Sequence, residues 1–305
     1  MVIRQLRRCF PAFLALLACG TGLLRASEPV FNLKKVFEST PRSWKEWPVA
    51  ELSPAGDQIY LLQGSKVQII NRKSGQIIAS ASYEDIPCNS AVKLQGWDLL
   101  PGKAEMLVVY CGSLLLVDRA TLKVKRRLLP DPPDMLGRLE LSPSGEMVAV
   151  SVYRPGAVNF AAHQYVVVVD TKNWAVLHRW PADDSGLSFS SDGKLLAIGR
   201  KKVNDKKLVV SCGVEIREVA SGQLYAEWWK SARDVCPGDA QFVPGDSNTL
   251  VTLESVYPDF VFWDAKSGEI KKRIRSPRPV HTFLFSPDAR WLIADVANDP
   301  GDTPE

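Results

Sequence analysis

Short apolar runs recur along the chain, and turn-forming residues separate them. Runs of four to eight residues, rich in branched and aromatic side chains and bounded by Gly, Pro, Asn, Asp or Ser, are typical of β-strands. One recurring turn places Ser and then Pro or Ser directly after an apolar residue. Because apolar runs stand on both sides of each copy, each predicts a hairpin. The copies begin at Leu52, Leu141, Phe189 and Phe285, and two degenerate copies are Leu99-Leu100-Pro101-Gly102 and Phe242-Val243-Pro244-Gly245.

A second recurring turn follows each of the first five copies of the first. It begins with an acidic residue or an amide after an apolar residue, and a small polar turn and another strand follow. Asp or Asn favours such a turn because its side chain accepts a hydrogen bond from the backbone two residues later, and Gly supplies a positive φ. The copies open at Asn71, Asp118, Asp170, Glu218 and Asp264.

The two turns alternate in a fixed order, so each unit has four strands and about 40 to 50 residues. The pattern resembles WD-repeat and YVTN-type bacterial β-propellers over nearly the whole chain after the leader, although Trp263-Asp264 is the only true WD dipeptide. The resemblance implies an all-β β-propeller, for which we expect six blades of about four antiparallel strands. Seven blades or a truncated propeller are the alternatives. A β-sandwich does not require the same two turns five times in the same order.

The last unit has a first hairpin from about residue 280 to 296, after which the chain soon ends. Residues 32–39 resemble residues 269–276, which belong to an outer strand. We therefore predict that the N-terminal segment closes the last blade, which leaves that blade three-stranded. Closure by both termini removes exposed sheet edges.

The first residues form a typical export signal. Arg4, Arg7 and Arg8 precede a short apolar run, and no acidic residue occurs in residues 1–26. We predict a signal peptide at 1–27 and a single propeller domain at 28–305, exported to the periplasm or outside the cell, with no membrane span. In an alternative, Cys19 carries a lipid anchor, because Leu16-Leu17-Ala18-Cys19 resembles a lipobox.

Charge argues against nucleic acid as a partner. Removing the four arginines of residues 1–26 from the 38 basic residues leaves 34, which equals the 34 acidic residues. A nucleic-acid-binding protein should carry a net positive stripe.

Four cysteines lie beyond the leader, an even number that favours disulfides in an exported protein. We predict the pairs Cys88–Cys111 and Cys212–Cys236, and four buried free thiols are the alternative. No cysteine or histidine spacing fits a metal site, and no cofactor is expected.

Insertions indicate where a ligand binds. The two turns are 17 residues apart in the first two units, from Pro54 to Asn71 and from Pro101 to Asp118, but 27 apart in the third and fourth. The enlarged loops, on one rim, form either a basic and aromatic binding patch or two solvated hairpin extensions. The candidate residues are Tyr153, Arg154, Phe160, His163, Arg200, Lys201 and Lys202. We expect Trp228 and Trp229 to pack against neighbouring blades rather than to stack on sugars.

No catalytic motif occurs in the sequence. His281 and Asp239 lie on first strands, where they either line a central channel or form an acid–base pair. We therefore favour a non-catalytic scaffold of the cell envelope that binds another envelope protein or a surface polymer. The alternative is a lactonase-like or quinoprotein-like propeller enzyme, or its remnant, with its site at the channel mouth.

Overall fold

Antiparallel β-strands make up nearly all of the regular structure. In this computed structural model the described residues are 15–18, 49–53, 55–63, 66–83, 86, 94–129, 135–153, 164–182, 186–206, 208–232, 237–254, 259–276, 280–286 and 289–296. No helix that is long and apolar enough to cross a membrane occurs within these ranges.

Five sheets contain four consecutive strands each, and we call them blades 1 to 5. Blade 1 comprises β2 (Val49–Leu52), β3 (Gln58–Gln63), β4 (Lys66–Asn71) and β5 (Ile77–Ser82). Blade 2 comprises β6 (Leu94–Leu99), β7 (Glu105–Tyr110), β8 (Ser113–Asp118) and β9 (Val124–Leu129). Blade 3 comprises β10 (Met135–Leu141), β11 (Met147–Tyr153), β12 (Gln164–Asp170) and β13 (Val176–Pro181). Blade 4 comprises β14 (Leu187–Phe189), β15 (Leu195–Val203), β16 (Val209–Glu218) and β17 (Leu224–Ser231). Blade 5 comprises β18 (Pro237–Val243), β19 (Asp246–Glu254), β20 (Asp259–Asp264) and β21 (Ile270–Arg275).

The first recurring turn joins the first and second strands of a blade, as predicted. The Ser side chain closes it, because its Oγ accepts a bond from the backbone N–H five residues later. This distance is 3.1 Å from Gln58 to Ser53, 3.0 Å from Met147 to Ser142 and 2.9 Å from Leu195 to Ser190. A hydroxyl next to a turn can satisfy backbone groups that the strands leave unpaired.

The second recurring turn joins the third and fourth strands, also as predicted. Its opening carboxylate or amide accepts backbone N–H bonds, for example from Lys266 and Ser267 to Asp264. The bond from Ser267 is the main reason that the pKa of Asp264 falls to about 2. The fifth residue of the turn has a positive φ, which favours Gly but is adopted by Leu122 at 57° and Trp174 at 64°.

Five apolar clusters fill the spaces between successive sheets. The cluster between blades 3 and 4 contains Val166 and Leu196, and that between blades 4 and 5 contains Val214 and Phe242. Three further clusters join blades 1 and 2, blades 2 and 3, and blade 5 and the last sheet. Blades 2 to 5 therefore bury both faces against their neighbours, as expected of radially repeated sheets.

The two recurring turns also connect neighbouring blades. A Cβ on Gly145 would lie 2.5 Å from the ring of Pro101, so the proline of blade 2 packs on the glycine of blade 3. In the same way, a Cβ on Gly268 of blade 5 would lie 2.4 Å from the ring of Trp228 in blade 4. The repeated glycines thus permit both a left-handed turn and a close contact between blades.

The last sheet has three strands, β22 (Val280–Phe285), β23 (Trp291–Val296) and β1 (Ala15–Ala18), with β23 in the middle. The N-terminal part of the chain does supply a third strand, but the predicted segment, residues 32–39, lies outside the described residues. Instead β1 pairs with β23 in antiparallel register, from Ala15 opposite Ala294 to Ala18 opposite Trp291. Any extended segment can form backbone hydrogen bonds with a free sheet edge, so this pairing does not depend on the side chains of the segment. Because β1 falls within 1–27, cleavage of a signal peptide stays a prediction. Ring closure, the blade number of six and a single domain over 28–305 also stay predictions.

Candidate binding surface

Among the described strands, those of blade 4 extend furthest at one end. The first-to-second and third-to-fourth strand turns of a blade lie together, as the backbone bond from Val219 N–H to Lys194 O shows in blade 4. The second-to-third strand connections therefore lie at the opposite end, which we call the outer rim. There, β15 and β16 have nine and ten residues and remain paired as far as Val203 and Val209. The 27-residue spacing in blade 4 is thus filled by longer strands rather than by a long loop.

A buried carboxylate organises the middle of this hairpin. Glu215 lies in β16 with a side chain only 5% exposed, and it forms ion pairs with Arg200 of β15 and with Arg217, the latter at 2.5 Å. The Arg217 guanidinium also lies 5.5 Å from the ring centre of Trp180 in blade 3. Arg200, predicted to be part of a binding patch, is therefore half-buried and shares one buried acid with Arg217.

Beyond this ion pair, a tryptophan lies flat on the sheet. A Cβ on Gly213 would lie 3.0 Å from the Trp229 ring and 2.2 Å from the backbone oxygen of Trp228. The indole Nε1 of Trp229 donates a 2.8 Å hydrogen bond to Glu227, and the Lys202 ammonium lies 3.6 Å from the ring centre. Only glycine lets the ring approach the strand this closely. The result is a half-buried aromatic group between a cation and an anion.

The two tryptophans have different roles. Trp228 is buried and stacks on Trp263 of blade 5 with a 4.8 Å separation between ring centres. The prediction that it packs on a neighbouring blade is confirmed. Trp229 faces the opposite side and rests on Gly213 of its own blade, so for this residue packing on a neighbouring blade stays a prediction.

Alternation along the strands shows which predicted residues share a face. In β15 Ile198 packs towards blade 3, so Arg200 and Lys202 face blade 3 as well, whereas Lys201 faces the opposite side. In β11 Ala149 packs towards blade 4, and the half-buried Tyr153 shares that face at the outer rim. Tyr153, Arg200, Lys202, Glu227 and Trp229 therefore lie along one interface, and we call this set the rim surface. Arg154, Phe160 and His163 lie outside the described residues.

Blade 5 carries a pair of buried acids near the same rim. Glu254 ends β19 and Asp259 begins β20, and Arg273 lies 2.6 Å from the first carboxylate and 4.0 Å from the second. Burial raises the pKa of Glu254, an effect that the Arg273 charge opposes. A buried acid with a raised pKa is a common feature of catalytic sites. Here the arginine occupies both carboxylates, and no group of three or more metal-binding side chains occurs among the described residues.

The first strands use several polar side chains to connect blades. Ser188 Oγ accepts a 3.0 Å bond from Phe242 N–H, and Gln241 Nε2 donates a 2.9 Å bond to Phe283 O. Asp239 lies in β18, and His281 lies in β22. Their side chains lie outside the described part, so a paired acid and base in the channel stays a prediction.

Cys111 and Cys212 each take part in a disulfide. Cys111 (φ 49°) and Gly112 (φ 73°) form the two-residue turn between β7 and β8, where both central residues need a positive φ. Cys212 is buried in β16 on the side that faces blade 5. Cys88 and Cys236, the expected partners, lie outside the described residues, as does Cys19. The two pairings therefore stay predictions.

Sequence reasoning did not identify Gly213, Glu215 or Trp229 as a connected group. The available signal was a glycine and an acid two residues apart within one strand. A glycine inside a strand marks close approach of another group, and an acid inside a strand needs a partner. The partners themselves depend on the register between β15, β16 and β17.

Comparison with known proteins supports the architecture. No protein-family model matches the sequence, and no curated protein matches it. Among solved structures, the β-propeller domain of Cps50 (Swd1) from Myceliophteria thermophila matches with a TM-score of 0.57 and 12% identity, over 81% of this chain and 83% of that chain. The Dos1 propeller gives 0.60 and 9%, over 81% and 65%. A chain of the mitotic checkpoint complex gives 0.64 and 13%, over 86% and 74%.

These neighbours are WD40-type β-propeller domains, and at such low identity they show the fold alone. With five four-stranded antiparallel sheets packed face to face, the chain is an all-β protein of the β-propeller type. The closer resemblance to bacterial YVTN-type repeats stays a prediction.

Proposed function

We propose that this protein is an exported, non-catalytic scaffold that binds an acidic envelope protein through the rim surface. The observation that carries the proposal is the arrangement around Trp229. A half-buried aromatic ring with the Lys202 ammonium 3.6 Å from its centre stands at the outer rim, next to the blade 3 face that holds Tyr153.

The composition of the rim surface supports a protein partner. Tyr, Trp and Arg are enriched in the centres of protein interfaces and among residues that dominate binding energy. Trp229 is also positioned in advance, because Gly213 and Glu227 fix its ring. A fixed anchor loses little conformational entropy when a partner binds.

Charge supports an acidic partner. Glu215 carries one negative charge against the two positive charges of Arg200 and Arg217, so this cluster keeps a net positive charge. Lys202, on the same face, is exposed. A partner carboxylate can pair with Lys202, while an apolar or aromatic group packs on Trp229. Such a charge pair at the edge of an interface mainly steers association and selects the partner.

Cross-linking affinity capture from an envelope extract of the native host tests the proposal. The rim variant combines Lys202→Glu with Trp229→Ala. The control combines Lys172→Glu with Lys266→Glu, two exposed lysines in turns at the opposite end of the blades. We expect one dominant acidic protein, which the wild type and the control capture and the rim variant does not. A partner that both variants retain would place binding elsewhere, and no partner at all would contradict the scaffold function.

A further inference from the structure

The tip of the blade 4 hairpin is an apolar projection. Four aliphatic side chains there are exposed: Leu208 at 61%, Val210 at 46%, Val209 at 41% and Val203 at 39%. The other exposed large hydrophobic residues lie mainly at the starts of the fourth strands, as single residues or adjacent pairs. Contiguous exposed apolar groups on a soluble domain mark a surface that contacts another phase or molecule.

The tip is ordered by its own hydrogen bonds. Asn204 N–H donates to Leu208 O at 2.9 Å, and Asn204 Oδ1 accepts bonds of 3.0 Å from both Lys206 N–H and Leu208 N–H. Val203 pairs with Val209 across the hairpin. These bonds close the loop and hold its apolar side chains outward. The side chains stay in contact with water until another surface covers them.

The charges beside the tip are mainly positive. Lys201, Lys202 and Lys206 stand in or next to it, and Asp205 is the acid among its described residues. Lysine is depleted in protein interfaces, and Leu and Val are under-represented among the residues that dominate protein binding. Aliphatic side chains bordered by lysines are instead typical of elements that enter the headgroup region of an anionic bilayer.

We infer that the hairpin tip, formed by Val203, Leu208, Val209 and Val210 with Lys206, docks on the surface of an anionic lipid bilayer. The aliphatic groups enter the boundary between headgroups and acyl chains, and the lysines stay at the level of the lipid phosphates. The tip lies beyond Lys202 along the hairpin, after a register shift between Lys202 and Val203, so its aliphatic groups project past the residues of the rim surface. This inference goes beyond the proposed protein binding and does not depend on it.

Vesicle co-flotation of the purified full chain tests this inference. The vesicles contain either phosphatidylcholine alone or phosphatidylcholine with phosphatidylglycerol. The tip variant is Leu208→Asp with Val209→Asp, and a second variant is Lys206→Glu. The control is Ile77→Asp with Ile78→Asp, which alters side chains of similar exposure, 56% and 52%, on blade 1. Melting temperatures confirm that all variants fold.

We expect the wild type and the control to float with phosphatidylglycerol vesicles, more weakly at high salt, and the tip variant to lose about tenfold in binding. Lys206→Glu should lose less. Equal flotation of the tip variant and the wild type would overturn the inference, as would wild-type binding that does not depend on phosphatidylglycerol. If the tip variant instead loses a captured protein and the wild type ignores vesicles, the tip is a protein contact. The rim surface is tested separately. If only the variant with Lys202→Glu and Trp229→Ala loses a captured protein, that protein binds to the rim surface.

Discussion

Replacing Glu215 with Leu should strongly destabilise the protein, because two arginines lose their shared buried partner. The Glu215 side chain is 5% exposed, and those of Arg200 and Arg217 are each 22% exposed. Removing one partner of a fully buried ion pair costs about 3 to 5 kcal/mol. Both guanidinium groups keep some contact with water, which lowers that penalty. We therefore expect a loss of about 3 kcal/mol in the free energy of unfolding.

Urea denaturation followed by tryptophan fluorescence measures this change, and a double-mutant cycle identifies its origin. The cost of Arg200→Met should be large in the wild type and small once Glu215 is Leu, because the arginine then has no acid to lose. Lys194→Met is the control. It removes an ion pair with Asp192 whose side chains are 80% and 44% exposed, and it should cost no more than about 0.5 kcal/mol. Additive effects of the Arg200 and Glu215 changes would refute the ion pair as the cause.

Three further predictions concern the turns and the cysteines. Gly75→Ala and Gly268→Ala both place alanine at a φ near +70°, but only the alanine at 268 meets a neighbouring ring. The melting temperature of the Gly268→Ala variant should therefore fall clearly further than that of the Gly75→Ala variant. For Asp264→Asn, the free energy of unfolding should differ from the wild type by a constant amount above about pH 5 and converge with it only below about pH 2. The pKa of Asp264 is lowered to about 2, so the charged form stabilises the fold above its ordinary value of about 3.9, and this stabilisation is lost as the pH falls. Equal pH profiles would contradict this reasoning. Peptide mapping without reduction should recover Cys111 and Cys212 in two separate cross-linked pairs with the partners predicted above, and reduction should cost about 2 to 4 kcal/mol for each. Free thiols at both positions would exclude these bonds.

The strand order within the blades was predictable because the information is local. A serine closes one turn and an acid or amide closes the other, and each works through bonds to backbone groups within five residues. Even the two turns without glycine kept their place, since Leu122 and Trp174 adopt the positive φ that the turn demands. The enlarged connection in blade 4 was also located correctly, although it proved to be strand rather than loop.

The candidate surface was only partly predictable, since its chemistry depends on side chains that meet across strands. Arg200 and Lys202 were predicted to act together with Lys201, but strand alternation places Lys201 on the opposite face. The sequence could not indicate that Glu215 pairs with Arg200, because that contact depends on the register of β15 against β16.

The sequence by itself therefore determined the repeated four-stranded units, the two turn types and the chain region that extends beyond the scaffold. Only the tertiary structure decided which cations pair with a buried acid, where Trp229 lies and which apolar side chains project from the hairpin. The physical reason is the separation along the chain between the residues that interact. Turns depend on bonds between neighbours in the chain, whereas a surface depends on register and packing between residues that are distant in sequence.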